Sequence, residues 1–345
     1  MVFTVKIRKL RPLIGLLAVF VLSAVPVEGG AQNDRAPVLG LPLDCQLGKT
    51  CWVVNHVDLD PGKAMLDYAC TSFGYDGHKG TDIAIRDLKA MRDGVPVTAS
   101  AAGVVIGIRD GVPDTGLAAP KRIIRGRECG NGVALAHKGG WHTQYCHMKN
   151  GSIVVRNGMK VARGQRLGSV GYSGNTQFPH VHITVRHNNR VIDPFLGIGP
   201  GQGCGQGVRS LWSPKIDNLL RRSPSAVYNA GFAAVRPPAK SVRAGLFKDK
   251  VLSRRAPLLL LWADVFWSQK GDVIQLQIFG PKGKKIHQYQ GDVTKTKARS
   301  LYYAGMKRKA LYWPSGVYRG EITLSRPNPS GPATAITAIR TVTLK

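Results

Sequence analysis

Acidic residues are scarce. Twenty Asp and Glu stand against 49 Lys and Arg, a formal net charge of +29 at pH 7. So basic a balance bears on partners and solubility, not on fold. No Cys-x-x-Cys pair occurs among the six cysteines, which argues against a cysteine-built zinc site. Beyond Val27 no apolar run approaches the roughly 20 residues that a membrane helix needs, so no transmembrane segment is expected in the mature chain. Long stretches with a 3.6-residue apolar period are missing, which speaks against a helical fold. No internal repeat is evident.

What is present is globular in kind: 43% hydrophobic and 20% charged residues in a chain of 345, long enough for two domains. At the N-terminus Lys6, Arg8, Lys9 and Arg11 precede an apolar run from Pro12 to Val27, followed by the small residues Gly29, Gly30 and Ala31. That order reads as a signal peptide over residues 1–31, so the protein is expected to be exported, to the periplasm or cell envelope or into the medium. Six cysteines agree with that compartment: Cys45, Cys51, Cys70, Cys129, Cys146 and Cys204 suit disulfides. Cys129 with Cys146, and Cys45 with Cys51, are plausible pairs. An exported basic protein rarely meets nucleic acid, so anionic cell-envelope polymers are the expected partners of the charge.

Residues 32–212 are glycine-rich, with short β-like runs such as Gly103–Ile108, Thr143–Cys146 and Val181–Arg186 between turns. They predict a mainly antiparallel β domain. Lys138-Gly139-Gly140-Trp141 reads as a hairpin turn. Residues 213–241, with two Pro-containing stretches and no clean apolar period, read as a linker that includes a short helix near Ile216–Leu220. From 242 to 345 the texture is again β. Tyr318, Gly320, Ile322 and Leu324 fall on one face, and Ile339 and Val342 suggest another such strand. The expected architecture is mainly β, an antiparallel sheet domain followed by a smaller immunoglobulin-like β-sandwich.

Three histidine-bearing motifs stand out: His78-Lys79-Gly80-Thr81-Asp82, Tyr145-Cys146-His147-Met148 and Pro179-His180-Val181-His182. In a strand His180 and His182 point the same way. His78 and Asp82, four residues apart, can converge on one ion if Gly80 bends the chain. Two nitrogens and one carboxylate oxygen make a three-ligand zinc site with an open position, the pattern of a catalytic centre. His56, His137, His142, His187 and His287 read as surface or hairpin polar residues.

The same text resembles the lysostaphin-like, LytM-type zinc endopeptidases of peptidoglycan. The resemblance runs from about Tyr75 to Phe195 through HKGTD, GNGVALAHKGGWHTQYCHM, VARGQRLGSVGYSGNTQFPHVHITVR and VIDP. It implies that 32–212 is a metallopeptidase domain in which His78, Asp82 and His182 hold one Zn2+. It also implies that His147 and His180 act on the water and on the developing oxyanion. The expected reaction is hydrolysis of peptide bonds in peptidoglycan, in stem peptides or cross-links, by metal-activated water. Where the family commonly has small residues before the H-x-H, this chain has Asn175-Thr176-Gln177-Phe178, in a loop that borders the site and bears on substrate preference. Asn55 or another residue from Cys51 to Asp67 could fill the open zinc position in a latent form.

Two other readings compete. A non-catalytic regulator of other wall hydrolases would be expected to have lost ligand positions, and all are present here. A general secreted protease is the other. Residues 241–345 lie outside the resemblance and hold 19 Lys and Arg against 5 Asp and Glu, which suits either a wall-anchoring module or a packing partner with a solvated face. On the first reading, a chain ending near Ser241 should still hydrolyse soluble fragments.

Overall fold

The computed structural model describes residues 36–345 apart from 119–124, 200–202, 206–208, 222–223 and 329–330; the expected signal peptide lies outside the described residues. The first half is built on ten strands. In chain order they are β1 (Cys51–Asn55), β2 (Thr81–Ile85), β3 (Pro96–Thr98), β4 (Gly103–Arg109), β5 (Asn131–Ala136), β6 (Trp141–Met148), β7 (Lys160–Val161), β8 (Arg166–Ser169), β9 (His180–His187) and β10 (Arg190–Ile192). Eight form one antiparallel sheet in the order β1-β2-β9-β6-β5-β4-β7, with β10 beside β9, and β3 pairs β8 separately. Leu135, Tyr145, Val181, Ile183 and Val185 point to one side, where Leu39, Leu167 and Phe195 complete the core. Gly139 and Gly140, both at positive φ, make the β5–β6 turn where the sequence placed it.

All six cysteines are paired: Cys45–Cys51, Cys70–Cys204 and Cys129–Cys146. Two of these are the pairs read from the sequence. No helix among the described residues is long and apolar enough to cross a membrane.

The second half has eight strands: β11 (Ala226–Ala233), β12 (Val251–Leu252), β13 (Leu258–Ser268), β14 (Val273–Phe279), β15 (Lys285–Asp292), β16 (Lys297–Lys307), β17 (Gly316–Arg326) and β18 (Thr334–Leu344). They make a three-stranded sheet, β11-β13-β16, and a five-stranded sheet, β12-β18-β17-β14-β15. Leu259, Leu261 and Val265 of the first meet Ile274, Leu276, Ile322 and Leu324 of the second in a shared core. The inward face of β17 is Tyr318, Gly320, Ile322 and Leu324, as alternation predicts. On β18 it is Val342 and Leu344 that turn inward. Ile339 is exposed, because an odd and an even position of one strand cannot share a face.

The segment 213–241 holds the expected short helix, Pro214–Leu220, and beyond it, where a linker was expected, β11 and a second short helix, Ala239–Arg243. β11 is hydrogen-bonded along β13. Its apolar residues show no period because both faces are covered. Val227 and Phe232 enter the sandwich core, whereas Ala226 and Tyr228 pack with Trp52, Val54 and Phe73 of the first half. Residues 34–345 accordingly form one compact unit. Phe266 and Trp267 of β13 belong to that second cluster, and the Trp267 indole N–H donates to the carbonyl of Val54. Buried Asp87 ties the halves again: it caps the helix Leu88–Asp93 and takes Lys248 Nζ at 2.6 Å. A cut at Ser241 would part β11 from β13, so the two halves do not divide there.

Candidate metal centre and active-site cleft

β2 and β9 lie side by side with Asp82 opposite His182 and Ala84 opposite His180. Directly paired residues share a face, so Asp82, His180 and His182 project together, away from the core. His78 joins them from the turn before β2. Gly80 permits this by close approach: a Cβ there would lie 2.5 Å from His182 Nε2 and 2.6 Å from the carbonyl of Ile183.

Three ligand atoms converge. His78 Nε2 is 3.1 Å from Asp82 Oδ1 and 3.1 Å from His182 Nδ1, and His182 Nδ1 is 2.8 Å from Asp82 Oδ1. The far side of each group is held by a neighbour. His78 Nδ1 donates to the carbonyl of His56 at 2.6 Å, and His182 Nε2 donates to Thr184 Oγ1 at 3.0 Å. Asn55 Nδ2 donates to Asp82 Oδ2 at 2.7 Å. With a cation among them, outward N–H groups leave both imidazoles with lone pairs aimed at the same point as a carboxylate oxygen; without one, the same ring nitrogens hydrogen-bond Asp82. Three acceptors that close repel one another unless a cation lies among them, and outward hydrogen bonds of this kind are what orient metal-bound histidines. The donor set N, N, O suits zinc.

His147 reaches the same face by a different route. Regular alternation along β6 would turn it into the core beside Tyr145. Its φ of 59° breaks the alternation and brings its ring centroid to 4.6 Å from that of His180. The Cys129–Cys146 bridge and a bond from His147 N to the carbonyl of Cys129, 2.8 Å, hold the backbone there. His147 Nδ1 donates to the carbonyl of Ser173 at 2.8 Å, and His180 Nδ1 donates to that of Phe178 at 2.9 Å. Both therefore present Nε2 to the site.

Burial works against charge throughout. It pushes His147 well below the ordinary histidine value, helped by the neighbouring His180 and His182, and it lowers His182. For Asp82 burial acts upward, but the charges of His78 and His180 and hydrogen bonds from His180 and His182 outweigh it and hold the carboxyl well below its usual range. His78 is raised: burial lowers it, and the charge and hydrogen bond of Asp82 more than offset that.

All five residues singled out from the sequence are thus brought together. The sequence missed their supports. His56 is buried against Tyr68 and Phe195 rather than at the surface, and its carbonyl fixes His78. Asn55 acts on Asp82 from its side, and Thr184 is visible only as the residue two beyond His182 on the same face of β9. His137 does read correctly as structural, bonded to Ala102 and Thr143.

A cleft of about 310 Å³ opens over Asp82, His147 and His180. One wall is the loop Asn175–Phe178, with Asn55 and Tyr75 nearby; the other is Phe266, Trp267 and Ala298 from the sandwich.

Residues 76–194 match Peptidase family M23. Over 154 residues the chain is 34% identical to "Peptidoglycan DD-endopeptidase ShyA" of Vibrio cholerae serotype O1, covering 43% of this chain and 30% of that one. Over 150 residues it is 30% identical to "DD-carboxypeptidase/endopeptidase Mpg" of Neisseria gonorrhoeae, 42% of this chain and 29% of that one. The matched region thus spans under a third of the length of either relative. Among solved structures, the catalytic domain of the antimicrobial peptidase lysostaphin from Staphylococcus simulans is 22% identical over 41% of this chain and 85% of that one, with a TM-score of 0.26.

Proposed function

We propose that this chain, which carries a peptidase family M23 domain over residues 76–194, is an exported zinc-dependent endopeptidase that hydrolyses peptide bonds of bacterial peptidoglycan. The observation that carries the reading is the trio of ligand atoms from His78, Asp82 and His182 within 3.1 Å of one another, each residue backed by an outward hydrogen bond. When bound there, zinc supplies Lewis acidity and lowers the pKa of water to about 7.

The protein's own groups do the rest. His147 and His180 face the cleft through Nε2, with Nδ1–H fixed on a backbone carbonyl. Burial keeps His147 neutral, the state in which an imidazole can accept a proton. The neutral one takes the proton of the attacking water and hands it to the leaving amine; the other, to donate to the oxyanion through Nε2, carries a second proton and acts as the imidazolium. Three disulfides suit an oxidising compartment, and the net charge of +29 would hold the enzyme near anionic envelope polymers.

The test is digestion of purified cell wall by the zinc-loaded protein alone, with products identified by mass and casein as a control. Release of wall peptides without casein cleavage is the expected result. No cleavage alone, with stimulation of an added wall hydrolase, would establish a regulator instead.

A further inference from the structure

Arg299 is a half-buried cation that, among the described residues, has no counter-ion. It lies on β16 opposite Phe266 of β13, so the two side chains share a face. Its Cζ is 5.3 Å from the centroid of the Phe178 ring. That ring is 5.8 Å from Phe266 and 4.7 Å from His180, and both phenylalanines line the active-site cleft. Among the described residues no hydrogen bond or ion pair engages the Arg299 guanidinium. Asp264, the carboxylate whose charge reaches it, is already taken by Arg243 at 2.9 and 3.2 Å and by the Tyr228 hydroxyl.

A desolvated charge without a counter-ion is costly. Burial lowers the pKa of Arg299 accordingly. Stacking on Phe178 steadies the face of the guanidinium and leaves its N–H edge open, and that edge matches a carboxylate in two parallel hydrogen bonds. We propose that Arg299 is a specificity-determining residue of the cleft, binding a carboxylate that the substrate peptide carries close to the scissile bond. The ligand's identity as a peptide rests on the endopeptidase reading above; the demand for an anion rests on Arg299 alone. The sandwich thereby selects the substrate that the metal-site sheet cleaves. A carboxylate can come from a side chain or from the peptide's C-terminus, and the two are separable.

The experiment is calorimetric titration of the full, zinc-loaded chain carrying His147→Ala, which slows turnover by about 10²–10⁴-fold so that binding can be read. Three wall peptides are compared: both carboxylates free, the side-chain carboxylate amidated, and the terminal carboxylate amidated. One amidation should weaken binding about tenfold or more, the scale of a charge-assisted hydrogen bond, and which one identifies the source. Adding Arg299→Gln should erase that ratio, and Arg299→Lys should reduce it while keeping the charge. Were Arg299 only a prop for Phe178, substitution would weaken all three peptides alike. Equal affinity for the three, no binding of any, or a ratio that survives Arg299→Gln overturns the proposal. Should the glutamine variant misfold, the ratio in the parent protein and in Arg299→Lys still decides. Selective binding by a protein that cleaves no wall peptide would sink the endopeptidase reading and leave this one standing; equal binding with efficient cleavage by the parent enzyme would do the reverse.

Discussion

The two walls of the cleft are made of opposite materials. On the sheet side, imidazoles and a carboxylate stand on paired strands, and each is fixed from behind by a hydrogen bond to His56, Asn55, Thr184, Phe178 or Ser173. On the sandwich side the wall is Phe266 and Trp267, held by packing on Trp52, Val54 and Phe73, with Arg299 nearby over the ring of Phe178. Directional bonds give the first wall the precision that bond-making needs. Apolar burial gives the second its position, and its chemistry is free to vary with the substrate. On the reading proposed above, reaction falls to one wall and selection to the other.

The largest effects expected test the reactive wall. His78→Ala, Asp82→Ala and His182→Ala should each lose bound metal and nearly all turnover, measured together by metal analysis and wall-peptide hydrolysis. A variant that kept one zinc per chain at full rate would remove that residue from the ligand set. His147→Ala and His180→Ala should keep the metal and slow turnover by about 10²–10⁴-fold, the usual worth of general acid–base help. Zinc loss in either would make that histidine a ligand.

Trp267→Ala tests the second wall. It removes a buried indole that meets Phe73 edge-on and bonds to Val54, and should cost about 3–5 kcal/mol, read from denaturant unfolding. A much smaller loss would mean that the sandwich is only loosely seated against β1. Replacing Cys70 and Cys204 by serine opens a link across 134 residues of the sheet half. It should cost about 2–5 kcal/mol while leaving zinc stoichiometry unchanged, since no ligand borders either cysteine. Loss of zinc with the bridge would tie this staple to the metal site.

The smallest effect concerns the charge of the sandwich. If its basic surface binds the wall by long-range attraction, retention on intact sacculi should weaken as salt is raised through about 0.1 M, where the screening length is about 10 Å. Retention indifferent to salt would favour the view of a solvated face.

The reactive wall was legible because its residues announce themselves locally. His180 and His182 share a face by the period of a strand, and His78 and Asp82 sit four residues apart around Gly80. The bend read at Gly80 is present, but the close approach of Gly80 to His182 was hidden, since it depends on where β9 lies. The turn of His147 onto the open face was equally hidden, because alternation alone would bury it. β11 escaped notice for a related reason: a strand covered on both faces has no polar period to read.

What the sequence determined by itself was therefore the short-range chemistry: the candidate residues of the site, the β texture of both halves and the basic charge, with two of the three disulfide pairs offered as plausible. The third disulfide, the carbonyl of His56 behind His78, and the second wall of the cleft were decided by tertiary structure. Each of these joins residues that no local period relates, Cys70 to Cys204, His56 to His78, and Arg299 and Phe266 to Phe178. The first two arise when the sheet half closes on itself, and the last only when the sandwich packs its apolar face on the sheet half, a property of the folded surface rather than of any one segment.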